Sequence, residues 1–130
     1  MWKEFYSILI QLSSKMEGTF FAANRKIFVF LNEKNKIWIF ATKITDYNQN
    51  ISPQIIKEIF LYQEKAMFIS LHSFLSIKNY DGKGIYYMQE LPPLQGYISF
   101  KKAVSKYLYD TSLWEELFYF RSKKNLFERK

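Results

Sequence analysis

The sequence predicts an α+β fold, in which an antiparallel sheet of about five strands packs with three helices in the order α-β-β-β-α-β-β-α. Residues 2 to 16 and 97 to 120 repeat apolar side chains every three or four positions, as amphipathic helices do. Two pairs of short apolar segments are each joined by a polar turn, as in β-hairpins. A chain of 130 residues is long enough for one hydrophobic core. We therefore predict a single domain over residues 1 to 120 and a basic C-terminal tail over residues 121 to 130.

The first helix is predicted over residues 2 to 16, where an apolar stripe at helical spacing lies among polar side chains. Gly18 is expected to end this helix, because glycine readily adopts the left-handed conformation that often follows a last helical turn. A short extended segment over residues 19 to 22 comes next. The apolar stripe consists of Trp2, Phe5, Leu9, Leu12 and Met16.

The first hairpin is predicted in KIFVFLNEKNKIWIF, residues 26 to 40, where two apolar runs flank a polar loop at residues 32 to 35. This loop places Phe30 opposite Ile37 and Val29 opposite Trp38, and opposed residues share one face of a sheet. We call the two sides the first face and the second face. The first face carries Ile27, Val29, Leu31, Trp38 and Phe40. The second face carries Phe28, Phe30, Ile37 and Ile39.

Both faces of this hairpin are apolar, and four large apolar side chains left in water would form an unusual exposed patch. We expect the first face to form the core under the first and third helices. For the second face, two covers remain open at this point: the middle helix of the same chain, or another chain. The second possibility would make the second face a binding surface for a partner.

The middle helix is predicted to begin at Ser52-Pro53, with serine as the N-cap and proline in the first turn, and to end near Glu64. Its apolar arc is wider than a single core contact needs. That width favours a contact with a second copy of the chain. The predicted interface residues are Ile55, Ile56, Ile59 and Phe60.

The second hairpin is predicted from residues 67 to 77 and 85 to 91, which show period-two alternation around a turn at residues 79 to 84. The last helix, over residues 97 to 120, presents one apolar stripe. Its members are Phe100, Val104, Tyr107, Thr111, Trp114 and Phe118.

The sequence offers few groups suited to catalysis or metal binding. It contains no cysteine, which excludes disulfides, thiolate metal sites and cysteine nucleophiles. Its single histidine, His72, falls on the polar side of a predicted strand beside Ser70 and Ser76, where a surface histidine is the favoured interpretation. The segment from Tyr80 to Gly84 resembles a phosphate loop but leads into a strand, so no helix N-terminus would hold the phosphate. We expect no enzymatic activity, no cofactor and no metal.

The net charge of +7 raises single-stranded nucleic-acid binding as an alternative function. Tyr80, Tyr86 and Tyr87 lie near lysines in the sequence, but no RNA-recognition motif is present. The last ten residues hold five basic residues and one acid, so the rest of the chain is nearly balanced. The apolar runs are too short to cross a membrane, and the N-terminal residues lack the pattern of a signal peptide. We expect a cytosolic protein without membrane insertion.

The order of elements and the C-terminal part of the sequence resemble the class I type III secretion chaperones, the Tir chaperone family. The resemblance rests on the Asp81-Gly82 hairpin turn, on a strand that closes in Glu90-Leu91-Pro92-Pro93, and on Leu113-Trp114-Glu115-Glu116-Leu117 near the end of the last helix.

This resemblance implies a bacterial cytoplasmic homodimer, formed largely through the second helix and the nearby strand. It implies that the dimer binds the N-terminal region of a secreted effector in partly unfolded form, partly by strand addition, and so serves protein transport and virulence. It also implies a protein without enzymatic activity or cofactor. The second-face residues would then bind the effector.

Overall fold

The computed structural model describes residues 1–47, 53–54, 56–58, 61, 72–92 and 96–128, with side chains up to residue 119. The predicted α+β fold is confirmed, with one five-stranded antiparallel sheet and three helices. The strands lie in the spatial order β1-β2-β3-β5-β4. The elements are α1 (Trp2–Lys15), β1 (Glu17–Ala22), β2 (Arg25–Leu31), β3 (Trp38–Asp46), α2 (helical at residues 53, 54, 56 to 58 and 61), β4 (Ser73–Asn79), β5 (Lys83–Leu91) and α3 (Tyr97–Glu128).

Helix α1 lies on the sheet with Phe5, Ile8 and Leu12 buried. The predicted stripe was therefore partly wrong, because Ile8 takes the core position while Leu9 is 40% exposed. Gly18 does not end the helix. Met16 does so, with a left-handed backbone (φ 62°) and an N–H that donates to the Leu12 carbonyl at 3.2 Å. Left-handed backbone is accessible to residues other than glycine, at a cost that the surrounding contacts offset.

The first hairpin forms with both predicted faces but with a different register. Leu31 pairs with Trp38 and Phe30 with Ile39, so the loop spans residues 32 to 37 rather than 32 to 35. The Asn32 N–H donates to the Ile37 carbonyl at 2.9 Å, and the Asn32 side chain accepts from Lys34 N–H at 3.1 Å. These bonds stabilise the longer turn. Because the shift is two residues, the side chains that remain in the paired strands stay on their predicted faces, while Ile37 now lies in the loop.

The first face is the core of the protein, as predicted, and α1 and α3 pack on it. The α3 stripe is confirmed, since Phe100, Val104, Tyr107 and Thr111 are fully buried. Phe100 connects the two helices to the sheet, with its ring 5.0 Å from that of Phe5 and 5.3 Å from that of Phe20. The remaining members of this core include Ile27, Val29, Trp38, Phe40, Leu75, Ile85, Tyr87, Leu91 and Phe118.

One helix boundary differs from the prediction, and one predicted strand is described only in part. Helix α3 continues to Glu128, past the expected end near residue 120. Strand β4 is described from Ser73 onward, and residues 67 to 71 of the predicted strand lie outside the described residues. The assignment of residues 121 to 130 to a tail separate from the domain stays a prediction.

Candidate functional site

The second face of the sheet carries a second apolar cluster, separate from the core. One row of directly paired residues crosses four strands, from Phe28 through Ala41 and Met88 to Phe74. Ala41 and Met88 are buried and form the floor of the cluster, whereas the side chains around them are half-buried. The half-buried members are Phe28, Phe30, Ile39, Phe74 and Tyr80.

Tyr80 lies across this cluster from the β4–β5 turn. Its ring centroid is 4.9 Å from that of Phe30, 5.6 Å from that of Phe28 and 5.1 Å from that of Tyr86. Burial raises the pKa of the Tyr80 hydroxyl above its ordinary value. The second face therefore contains a patch of four aromatic rings, in which Tyr80 contacts each of the other three.

The turn that presents Tyr80 is held by the buried ring of Tyr86. The Tyr86 hydroxyl accepts from the Asp81 N–H at 2.9 Å and donates to the Gly82 carbonyl at 2.8 Å. Gly82 has a positive φ of 85°, which glycine adopts without strain. The predicted hairpin turn is thus confirmed, and it fixes the position of Tyr80.

A groove of about 420 Å³ runs beside the aromatic patch, toward the N-terminal part of the sheet. Phe28, Phe30 and Tyr80 line it with their rings, and Thr19 and Glu17 of β1, which pair with Phe28 and Phe30, also line it. The groove therefore combines three aromatic rings with mostly polar side chains. Its other lining residues are Gln11, Lys15, Gly18 and Asn79.

Positive charge lies at one margin of the second face. The Lys26 ammonium stands 5.2 Å from the centroid of the Phe28 ring. Lys43 donates to the Asp81 carbonyl at 2.6 Å and lies 2.8 Å from the Asp46 carboxylate. The hydrogen bond to Asp46 raises the pKa of Lys43. Lys43 thus ties β3 to the β4–β5 turn, and Lys26 covers part of an aromatic ring.

Three of the four predicted second-face residues come together in this cluster. Phe28, Phe30 and Ile39 pack around the same floor, whereas Ile37 lies in the β2–β3 loop, half-buried, and is not a member. Of the predicted interface residues on α2, Ile56 is half-buried against the first-face core. Ile55, Ile59 and Phe60 lie outside the described residues.

The other candidates from the sequence do not assemble into a site within the described residues. His72 is exposed, with Nδ1 3.9 Å from a Glu90 carboxylate oxygen. Tyr86 and Tyr87 are buried, so their faces are closed to stacking by nucleic-acid bases. No group of three or more histidine or acidic side chains in the described part of the chain is arranged to hold a metal ion. None of the described helices is long and apolar enough to cross a membrane.

Comparison with known proteins gives one structural match. No protein-family model and no curated protein sequence matches the chain. A chain in the solved structure of the HopA1-SchA chaperone-effector complex has the same fold, with a TM-score of 0.59 and 11% sequence identity. The match covers 86% of this chain and 93% of that chain. At this identity the likeness establishes a shared fold.

Sequence reasoning missed the part that Tyr80 and Met88 play in the second face. Period-two alternation along β4 already places residues 74, 76, 78 and 80 on one side of the sheet. The turn signal at Asp81-Gly82, however, predicts that the strand ends before Tyr80. Pairing between β3 and β5 then brought Tyr80 to the ring of Phe30, a neighbour that lies 50 positions earlier.

Proposed function

We propose that this protein is a non-enzymatic secretion chaperone that binds the N-terminal region of a type III effector in partly unfolded form. The observation that carries the proposal is the second face, where Phe28, Phe30 and Tyr80 form an aromatic patch beside a groove. Among the described residues no helix packs on this patch. The shared fold with a chain of a chaperone-effector complex supports the same function.

The physical basis of binding is burial of apolar side chains from an extended segment against half-buried rings. A segment that is kept extended exposes apolar side chains, and burial of each large one contributes roughly 1.5 to 3 kcal/mol. The patch is rigid because Tyr86 anchors its turn through two hydrogen bonds. A rigid patch loses little conformational entropy when it binds.

We also propose that the chain acts as a cytoplasmic homodimer through α2. Leu61 is exposed on α2, while Ile56 faces the core of its own chain. A second copy would bury the exposed side chain of Leu61. Sedimentation at micromolar concentration should give twice the mass of one chain, and a single-chain mass would contradict the dimer.

The client-binding proposal is tested by comparing Phe30→Asp with Lys34→Asp, an acidic substitution at an exposed position of the same hairpin. Both variants are used to capture an unfolded peptide segment rich in large apolar side chains. Phe30→Asp should weaken binding about ten- to a hundredfold, because it replaces a ring of the patch by a charge. Lys34→Asp should leave binding within about threefold of the original, since an exposed charge contributes little.

The state of the captured segment provides the second readout. Its backbone amides outside the contact region should exchange with solvent as fast as those of an unfolded peptide. Slow exchange throughout the segment would mean that a folded partner is bound and would contradict the chaperone function. Equal affinities of the two variants would remove the second face as the binding surface.

A further inference from the structure

The outer edge of strand β1 is occupied by the side chain of Gln11. Strand β1 stands at one end of the sheet, so one side of its backbone pairs with β2 and the other points outward. The Thr19 N–H donates outward to Gln11 Oε1 at 2.9 Å, and Gln11 Nε2 donates to the Thr19 carbonyl at 3.2 Å. A residue in a neighbouring antiparallel strand makes the same pair of bonds. The carboxamide therefore stands in for a peptide group of a neighbouring strand.

The position of this carboxamide is fixed from two sides. Gln11 Nε2 also donates to Ser7 Oγ one helical turn earlier, at 3.0 Å. A Cβ atom on Gly18 would lie 2.7 Å from Gln11 Oε1 and 2.8 Å from Ile8 Cδ1, so only glycine lets α1 come this close to the strand. Gly18 does not end the helix, and its importance is steric. It makes room for the Gln11 side chain at the strand edge.

Without Gln11, the outer edge of β1 is suited to pair with β1 of a second copy. The backbone groups that point outward alternate along the strand and belong to Glu17, Thr19 and Phe21. A two-fold axis at Thr19 would place Glu17 of one copy opposite Phe21 of the other, so that no like charges face each other. Phe21 is 63% exposed and would gain apolar contact in such a pair. Exposed strand edges with these features are prone to pair with other chains.

We propose that Gln11 is a lock that prevents two copies from joining their sheets through β1. The carboxamide of Gln11 bonds both the N–H and the carbonyl of Thr19. An incoming strand therefore cannot pair with these two backbone groups, which lie at the centre of the β1 edge. This lock acts at β1, at the opposite end of the sheet from β4, and it is independent of any dimer formed through α2. Removal of the Gln11 carboxamide exposes the edge of β1, so that the fraction of associated chains should rise with protein concentration.

The test substitutes Gln11→Met, because methionine has similar length and helix propensity but lacks the donor and acceptor. Ser13→Met is the matched control, since Ser13 is exposed on the same helix and bonds only the Ile10 carbonyl. In Gln11→Met the Thr19 amide should exchange about tenfold faster or more at low protein concentration. Sedimentation should show an average mass that rises with concentration above that of the original protein. Ser13→Met should match the original protein in both measurements.

A cysteine crosslink locates the contact. The chain contains no cysteine, so Thr19→Cys introduces a single thiol. Paired residues of antiparallel strands have Cα atoms about 5.5 Å apart, within the range of a disulfide. The double variant Gln11→Met/Thr19→Cys should form disulfide-linked dimers under mild oxidation much faster than Thr19→Cys alone. Equal rates, or an unchanged mass of Gln11→Met at every concentration, would overturn the proposal.

A second substitution covers the case in which Gln11→Met reduces folding. Gln11→Glu keeps an oxygen that accepts from the Thr19 N–H but loses the donor for the Thr19 carbonyl. It should give self-association between that of the original protein and that of Gln11→Met. Circular dichroism of each variant verifies that the fold is retained. Self-association of Gln11→Glu no greater than that of the original protein would also overturn the lock.

Discussion

The two faces of the same hairpin differ in what covers them. On the first face, Ile27, Val29 and Phe40 are fully buried beneath α1 and α3. On the second face, Phe28, Phe30 and Ile39 are half-buried around a floor that includes Ala41. Both sets are equally apolar in the sequence. The apolar pattern of a strand therefore predicts that both faces are at least partly covered. The packing of α1 and α3 decides which of the two faces becomes the core.

Within the described residues, the floor of the second face is surrounded by side chains of the strands and of the β4–β5 turn. Tyr86 is fully buried, although its described neighbours on that face are strand residues and the turn residue Tyr80. Among the described residues, the second face is a small apolar cluster with a half-buried margin.

The largest expected effect comes from placing a charge on each face in turn. Val29→Asp should unfold the domain, because an unpaired buried carboxylate costs several kcal/mol, a large fraction of the roughly 5 to 15 kcal/mol that stabilises a domain. Phe30→Asp should lower the free energy of unfolding by less, since the side chain at position 30 reaches solvent and the charge stays hydrated. Chemical denaturation followed by circular dichroism measures both. Equal losses of stability in the two variants would mean that both faces are internal.

A smaller effect is expected from the buried hydrogen bond of the first-face core. The Tyr107 hydroxyl donates to the Tyr87 carbonyl at 2.6 Å, and the two rings stack 5.1 Å apart. Tyr107→Phe leaves that carbonyl without this donor and should lower the free energy of unfolding by about 1 to 3 kcal/mol. Tyr109→Phe is the control, because Tyr109 is exposed on the same helix.

The stability of the domain should depend on pH through the same two tyrosines, Tyr107 and Tyr87. Burial raises the pKa of Tyr107 and of Tyr87 above the ordinary value of 10.0. The unfolded chain therefore loses these protons first, so stability is full below pH 10.0 and falls as the pH rises above it. In Tyr107→Phe the free energy of unfolding should fall less steeply with rising pH than in the original protein. In Tyr109→Phe the steepness should stay close to that of the original protein. Unfolding curves between pH 8 and 11 provide the measurement, and equal slopes in all three proteins would contradict it.

Tyr80→Ala probes the margin of the second face. It removes ring contacts with Phe28, Phe30 and Tyr86 and should cost about 1 kcal/mol, as expected for surface aromatic pairs. It should also increase the binding of a hydrophobic dye, because the rings beneath become accessible to water. Thermal unfolding and dye fluorescence measure the two effects. Unchanged dye binding would show that Tyr80 does not cover the patch.

The smallest effect is expected at the ion pair between Arg25 and Glu115, which joins β2 to α3. Both side chains are partly exposed, so Arg25→Ala should lower stability by only about 0.2 to 1 kcal/mol. Added salt screens the ion pair, so it should lower the free energy of unfolding of the original protein toward that of Arg25→Ala. A loss comparable to that of Tyr107→Phe would instead indicate that Arg25 packs as part of the core.

The sequence by itself determined the class of fold and the two faces of the first hairpin. Helical spacing predicted the α3 stripe through Phe100 and Tyr107, and period-two alternation predicted which strand residues face together. These patterns depend only on the geometry of helix and strand, which every chain shares. The two-residue error in the loop left the faces intact for the same reason.

Only the tertiary structure decided which contacts those faces make. Ile8 rather than Leu9 lies in the core because the crossing of α1 over the sheet selects between neighbouring positions on one helix. The absence of a side chain at Gly18 leaves room for Gln11 to bond Thr19, a contact between elements that no local pattern contains. Tyr80 reaches Phe30 because β3 and β5 are neighbours in the sheet. Each of these contacts joins residues from separate elements, and their proximity is set by packing of the whole domain rather than by local propensity.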